Sequence, residues 1–138
     1  MTVRSLKLLF LLMALAAVSF GQRIEDGSRK TIGYIESSGA VENASRSTIG
    51  YIESDGRIEN SSRSTIGYLE KDGRVENSSR STIGYISDGG TVENGSRSTI
   101  GYVESNGRVE NGSRSTIGYA EGVDKRYAAI FFFFFFKP

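Results

Sequence analysis

Ser47-Thr48-Ile49-Gly50-Tyr51-Ile52-Glu53-Ser54-Asp55-Gly56-Arg57-Ile58-Glu59-Asn60-Ser61-Ser62-Arg63 is one copy of a 17-residue unit. Its Gly-Tyr pair recurs without slippage at Gly33-Tyr34, Gly50-Tyr51, Gly67-Tyr68, Gly84-Tyr85, Gly101-Tyr102 and Gly118-Tyr119. A fixed period of this kind dictates a repeat architecture built from one supersecondary unit. Within the unit, Thr48-Ile49-Gly50-Tyr51-Ile52 is rich in β-branched and aromatic residues, and Ser54-Asp55-Gly56 is a hairpin signal. Arg57-Ile58-Glu59 alternates charged with apolar residues, as a strand with one dry and one wet face does. Asn60-Ser61-Ser62 supplies the next turn, because Asn and Ser bond readily to nearby backbone. Glycine in every copy and the lack of a 3.6-residue apolar stripe argue against helix here.

Six strands centre on Ile32, Ile49, Ile66, Ile83, Ile100 and Ile117, and six on Ile24, Val41, Ile58, Val75, Val92 and Val109. The expectation is an all-β repeat of twelve short antiparallel strands. The series begins with one strand type and ends with the other, so the last strand can pair with the first, and closure removes the exposed edges. Two hairpin registers fit. A three-residue Ser54-Asp55-Gly56 loop sets Ile52 opposite Ile58 and puts Gly50 on the same inward face. A two-residue Asp55-Gly56 loop turns Ile49, Tyr51 and Ile58 inward instead. The first pairs apolar with apolar and is preferred.

After Tyr119 the repeat stops, and Glu121 to Ile130 lead into Phe131, Phe132, Phe133, Phe134, Phe135 and Phe136, then Lys137-Pro138. Burying one large apolar side chain stabilises by about 1.5–3 kcal/mol, whereas an exposed run of six would drive aggregation. Asp124 can cap a helix and Ala128-Ala129 favour one. An α-helix over 125–136 would measure about 18 Å, the height of strands of five or six residues, about 17–20 Å. The repeats over 22–121 are therefore expected to close around a hydrophobic C-terminal helix within 122–138, with Ile130 and the six phenylalanines as the barrel's plug.

The repeated Thr-Ile-Gly-Tyr-Ile-Glu-Ser-Asp-Gly, the terminal Ile117-Gly118-Tyr119-Ala120-Glu121-Gly122-Val123, then Tyr127-Ala128-Ala129-Ile130 and the poly-Phe end together resemble the β-flower family of secreted bacterial proteins. The resemblance covers residues 22–138. It implies a shallow, rotationally symmetric barrel of hairpin petals around a hydrophobic C-terminal helix. Such families are distinguished by petal number as four-, five- or six-fold. Six copies imply six petals, with five the alternative because the first copy is the weakest. The plan also resembles the Tubby C-terminal domain, whose relatives engage membranes and phosphoinositides, but that likeness is architectural and licenses no function.

The first 21 residues carry Arg4 and Lys7, an apolar run from Leu8 to Val18, and small residues at Ser19 and Gly21. This reads as a secretory signal peptide cleaved after Gly21, since its apolar run falls short of the roughly 20 residues needed to span a bilayer. Without Arg4 and Lys7 the chain keeps 15 basic against 16 acidic residues. That balance gives no argument for nucleic acid as a partner. The chain has no cysteine and no histidine, which removes disulfides, the thiol nucleophile, the commonest general base and the usual zinc ligands.

Carboxylates such as Glu53, Asp55 and Glu59 recur in most copies, and equivalent positions are a poor place to build unequal acid and base environments. No catalytic residue, cofactor or metal site is expected. Asp55-Gly56, Asp72-Gly73 and Asp88-Gly89 read as turns rather than calcium ligands. Asn43, Asn60, Asn77, Asn94 and Asn111 match the N-glycosylation pattern but read as turn residues copied with the repeat.

Arg29, Arg46, Arg63, Arg80, Arg97 and Arg114 follow the Asn-Ser turns, so a closed barrel carries all six at one rim. A helix running back from the Asp-Gly rim brings its phenylalanine end and Lys137 out inside that ring. A basic ring around an apolar tip suits anionic lipid headgroups. The competing reading pairs each arginine with a neighbouring glutamate, such as Glu59 beside Arg63.

The sequence thus points to a secreted, monomeric, non-enzymatic binding or structural module, periplasmic or extracellular, with an anionic lipid or envelope surface as candidate partner. The alternative is an open repeat array, an adhesin, ice-binding face or curli-like amyloid, with Thr31, Thr48, Thr65, Thr82, Thr99 and Thr116 as its ladder.

Overall fold

Hairpin formation follows from two turns of the same shape. The structure, a computed structural model, describes residues 21–137; the expected leader lies outside the described residues except for Gly21. In the first turn, the Glu53 N–H donates to Arg57 O at 2.8 Å and the Gly56 N–H to Glu53 O at 3.0 Å, with Gly56 at φ 94°. In the second, the Asn60 N–H donates to Ser64 O at 2.9 Å and the Arg63 N–H to Asn60 O at 3.0 Å, with Arg63 at φ 69°. Each is a three-residue loop whose last residue lies in the left-handed region. Asn60 Oδ1 also accepts from the Ser62 and Ser64 N–H groups at 3.0 Å, fixing the turn from its own side chain.

These turns link twelve strands: β1 (Gln22–Asp26), β2 (Thr31–Ile35), β3 (Ala40–Asn43), β4 (Thr48–Ile52), β5 (Arg57–Asn60), β6 (Thr65–Leu69), β7 (Arg74–Asn77), β8 (Thr82–Ile86), β9 (Thr91–Asn94), β10 (Thr99–Val103), β11 (Arg108–Asn111) and β12 (Thr116–Tyr119). Every strand pairs antiparallel with its sequence neighbours, and β1 pairs with β12 through Glu25↔Tyr119 and Asp26↔Gly118. The barrel is closed. The open array is thereby excluded as the fold, because no strand edge is left for stacking.

Across β4 and β5 the register is Gly50↔Asn60, Tyr51↔Glu59 and Ile52↔Ile58, the three-residue-loop register expected from sequence. The opposite seam departs from simple alternation. Between β5 and β6, Ile58 faces Gly67 and Glu59 faces Thr65, so Ile66 is an extra, bulged residue. The same bulge recurs in the other five copies. A bulge re-aims a side chain, and here Ile32, Ile49, Ile66, Ile83, Ile100 and Ile117 pack half-buried against the core. The two inward sets weighed from sequence are therefore not exclusive. Ile52 and Ile49 both serve the core, while Tyr51 stays outside.

The plug is not the uninterrupted α-helix that the alanines suggested. Asp124 caps α1 (Lys125–Ala129), its carboxylate accepting from the Arg126 and Tyr127 N–H groups at 2.8 and 3.4 Å. From Ile130 to Phe134 the helix is π-helical, with the Phe135 N–H donating to Ile130 O at 3.1 Å. The reason is angular. Phe131 meets Gly33, Phe132 meets Gly118, Phe133 meets Gly101, Phe134 meets Gly84, Phe135 meets Gly67 and Phe136 meets Gly50, one complete circuit of the petals in six consecutive residues. Six-fold closure asks each residue to advance 60°, whereas an α-helix advances about 100°. A π-helix, bonded i→i+5, advances roughly 80° per residue and comes closer to the petal spacing.

The glycines make room for the rings. A methyl group built on Gly33, Gly50 or Gly118 would sit 3.0, 2.5 or 2.5 Å from the ring it faces, and nearer still at the other three. Each would also press on a carbonyl of the adjacent strand, such as Glu59 O at 2.5 Å from Gly50. Ala128, Ala129, Ile130, Phe131 and Phe132 are buried, together with the valines and isoleucines of the wall. Phe131 and Phe132 meet edge to face, their centroids 5.5 Å apart.

Gly84→Ala, which drives a methyl into Phe134 and Glu93 O, is expected to cost about 1–3 kcal/mol in denaturant unfolding. Gly89→Ala meets only Ser87 Oγ at 3.9 Å and should stay within about 0.5 kcal/mol of wild type.

Candidate functional site

Leaving the left-handed turn, the side chain of Arg63 folds back over the outer wall, where Tyr51 and Glu59 are cross-strand neighbours. Its guanidinium lies 3.5 Å from the centre of the Tyr51 ring. The Nη1 group donates to Glu53 at 2.5 Å and to Glu59 at 3.1 Å. Glu59, only 5% exposed, is also held by Arg57 Nε at 3.1 Å.

The arrangement repeats around the barrel. Arg29 stacks on Tyr119, Arg46 on Tyr34, Arg80 on Tyr68, Arg97 on Tyr85 and Arg114 on Tyr102, at 3.5–3.6 Å. Five of the six arginines bridge two carboxylates. Arg97 reaches Glu93 alone, because Ser87 stands where the other copies have glutamate. The candidate anionic-ligand rim is thus a belt of cations laid along the wall, each already facing carboxylates. Arg29 also clamps the closing seam, joining Glu25 of β1 to Tyr119 and Glu121.

An L-residue in the left-handed region is strained by about 1–2 kcal/mol. Stacking on an exposed ring returns about 0.5–1 kcal/mol and each exposed ion pair about 0.2–1 kcal/mol. The two sides nearly cancel, which is how six arginines occupy a position that glycine fills at the opposite turns. Sequence reasoning paired Arg63 with Glu59 but missed the tyrosine stack and the backbone strain. The signal was present: Asn60-Ser61-Ser62-Arg63 stands in the same frame as Glu53-Ser54-Asp55-Gly56, with arginine in the place of glycine.

Electrostatics follow from these contacts. Burial pushes the Glu76 carboxyl up, but hydrogen bonding from Arg80 and the charge of Arg74 outweigh it and hold the group below the usual range. The Lys30 N–H, then the Ser28 hydroxyl, lower the Asp26 carboxyl. Burial raises the Tyr127 phenol, so it stays protonated and neutral. Asp55 and Asp72 each accept a backbone N–H two residues on, at 3.0 Å, which is turn chemistry. Asn43, Asn77, Asn94 and Asn111 brace their turns as Asn60 does. Among the described residues there is no cluster of ligands that could hold a metal ion, and no helix long and apolar enough to cross a membrane.

The two ends of the barrel differ. At the arginine-turn end, Phe133, Phe134 and Phe135 are half-buried beside the six half-buried isoleucines, and Lys137 is exposed. Phe136 and Ile130 are buried. At the Asp-Gly end, Arg126 and Tyr127 of α1 lie among the turns of the second and third petals.

A ring of identical hairpins closed by its first strand, with a glycine from each petal filled by one phenylalanine of the terminal helix, decides the family. The chain belongs to the β-flower family. The family model that matches it is described as a 5-fold beta-flower protein and spans residues 21–137. No curated protein and no solved structure matches. This β-flower has six petals, as its twelve strands and six glycine–phenylalanine contacts require.

Arg63→Ala keeps the strain and loses the contacts, and is expected to destabilise by about 1–2 kcal/mol. Arg63→Gly loses the same contacts but relieves the strain, and should be milder by about 1 kcal/mol in the same unfolding assay. The lowered carboxyls give a pH dependence. Their folded pKa lies below the unfolded one, so the stabilisation is complete above the ordinary carboxylate range and is lost as pH falls through it. Melting temperature should be flat near neutrality and fall below about pH 4.

Proposed function

We propose that this β-flower is an exported, monomeric, non-enzymatic binding module that seats its phenylalanine end against an anionic lipid or envelope surface. The observation that carries this reading is the apolar disc at the arginine-turn end, where Phe133, Phe134, Phe135 and the isoleucine ring are only half-buried. Contiguous apolar surface rimmed by polar residues marks an interaction site, and the rim here is a circle of Ser, Thr and Asn turns. Lys137, exposed just after the last phenylalanine, adds a cation at this end. The belt arginines remain 43–65% exposed at their side chains, so an anion can approach their outer edges while the carboxylates stay in place. Against catalysis stands the equivalence of the belt. Glu25, Glu59, Glu76 and Glu110, the buried glutamates, are each tied to two arginines in the same way, so the belt repeats one carboxylate environment and builds no asymmetric acid–base pair.

Flotation with vesicles tests the reading. The protein is expected to rise with anionic vesicles, to be released by salt, and to lose at least about fivefold in affinity on Lys137→Glu, since one basic residue near a charged membrane contributes about 1 kcal/mol and the new carboxylate adds repulsion. Equal binding to zwitterionic vesicles, unaltered by salt and by Lys137→Glu, would sink it. Mass spectrometry of the exported product should find a chain that begins at Gln22.

A further inference from the structure

Six-fold repetition gives every petal the same surface, so a specific site must be sought where the symmetry breaks. Two independent departures meet in one groove at the Asp-Gly end. The third petal carries Lys71 where other copies have Ser37, Ser54, Asp88 and Ser105. The tail, which has no counterpart in the repeats, brings Arg126 and Tyr127 to the same place. The groove encloses about 440 Å³ between the Ser54-Asp55-Gly56 and Lys71-Asp72 turns and is walled by Leu69 and Tyr127.

We propose that this groove binds a small anion with a carboxylate or phosphate head, seated between Lys71 and Arg126, and a short apolar body lying on Leu69 and Tyr127. Four carboxylates also line the groove, but each is already engaged. Glu53 and Glu70 accept from Arg63 and Arg80 at 2.5 and 2.6 Å. Asp55 and Asp72 accept the Arg57 and Arg74 N–H groups. Arg74 in turn is held by Glu76 at 3.1 Å. Asp55 makes no ion pair among the described residues and keeps its charge, but it is set against two cations, Lys71 and Arg126, that make none either, so the unpaired charge is net positive. Arg126 spends one amino group on the Glu70 carbonyl, while its Nε, shielded from solvent, meets no acceptor there. A buried donor without an acceptor is costly, and an anion in the groove that draws the Arg126 guanidinium outward by a side-chain rotation gives it a charge-assisted bond. Tyr127, a neutral phenol near neutral pH, supplies an aromatic wall and adds no competing negative charge.

This site lies at the end opposite the apolar disc, so it stands or falls apart from the lipid reading. The ¹⁵N-labelled protein would be titrated with phenyl phosphate and, separately, with inorganic phosphate. Saturable amide shifts are expected at Ser54 to Gly56, Lys71, Asp72, Arg126 and Tyr127, with phenyl phosphate the tighter ligand. Lys71→Ser restores the residue of three other copies, so its melting curve should be unchanged. Its affinity should fall about tenfold with the loss of one charge-assisted contact. Shifts spread evenly over all the Asp-Gly turns, the lack of saturation, or full affinity in Lys71→Ser would overturn the assignment. Anionic vesicles should move the resonances of Phe133 to Lys137 and leave the groove alone. Vesicles that shift the groove would identify the phosphate as a lipid headgroup and overturn the small-ligand assignment.

Discussion

Six backbone positions without side chains stand around the inside of the barrel, and six benzyl groups from one short helix fill them. Everything else in the structure is arranged around that fit. Glycine at the third position of Thr-Ile-Gly-Tyr-Ile is required twice over, by the ring in front of it and by the carbonyl of the adjacent strand beside it. The π-helical turn is the helix's answer to the petal spacing. The wall and the plug therefore constrain each other: the number of petals sets the angle at which phenylalanines must follow one another, and the run of phenylalanines has one ring for each petal.

The outer face solves a different problem with different residues. Hairpins at both ends of the barrel need a left-handed residue, and at the Asp-Gly end glycine provides it without strain. At the other end arginine does, and the strain is offset by reach. From that backbone position a long planar cation can lie flat on a tyrosine and face two glutamates. The inner surface is thus held by shape and the outer one by charge and stacking. Arg29 extends the outer device across the seam, where the strands themselves share only two registered pairs.

Much of this was legible in the sequence because the repeat multiplies each weak signal. One Asp-Gly hints at a hairpin, but turn residues returning at a constant spacing in every copy point to a closed ring of about twelve strands, with two registers and six or five petals left to choose between. Ile52 opposite Ile58 followed from matching apolar residues alone, and the plug followed from the lack of any other place to hide six phenylalanines. The bulge at Ile66 was not legible, since an extra residue shared equally by all copies leaves the period intact and disturbs no alternation that could be checked. The π-helix was hidden for another reason: Ala128 and Ala129 report a local preference, whereas the angle between petals is a property of the closed ring. The arginine stacks could have been read from the shared frame of the two turns, and the groove beside Arg126 could not, because it joins residues from a petal and from the tail.

The placement of the seam has a consequence for how the molecule comes to exist. Eleven of the twelve strand pairings are hairpins that neighbouring residues can assemble unaided, but the ring is completed by Gln22–Asp26 meeting Thr116–Tyr119, and its filling arrives last of all, at Phe131 and beyond. Neither can occur until residues 22–136 are all available together. A chain drawn lengthwise through a narrow passage, as the proposed export requires, would remain a string of loose loops during transit. It would acquire its rigid form in a single late event on the far side.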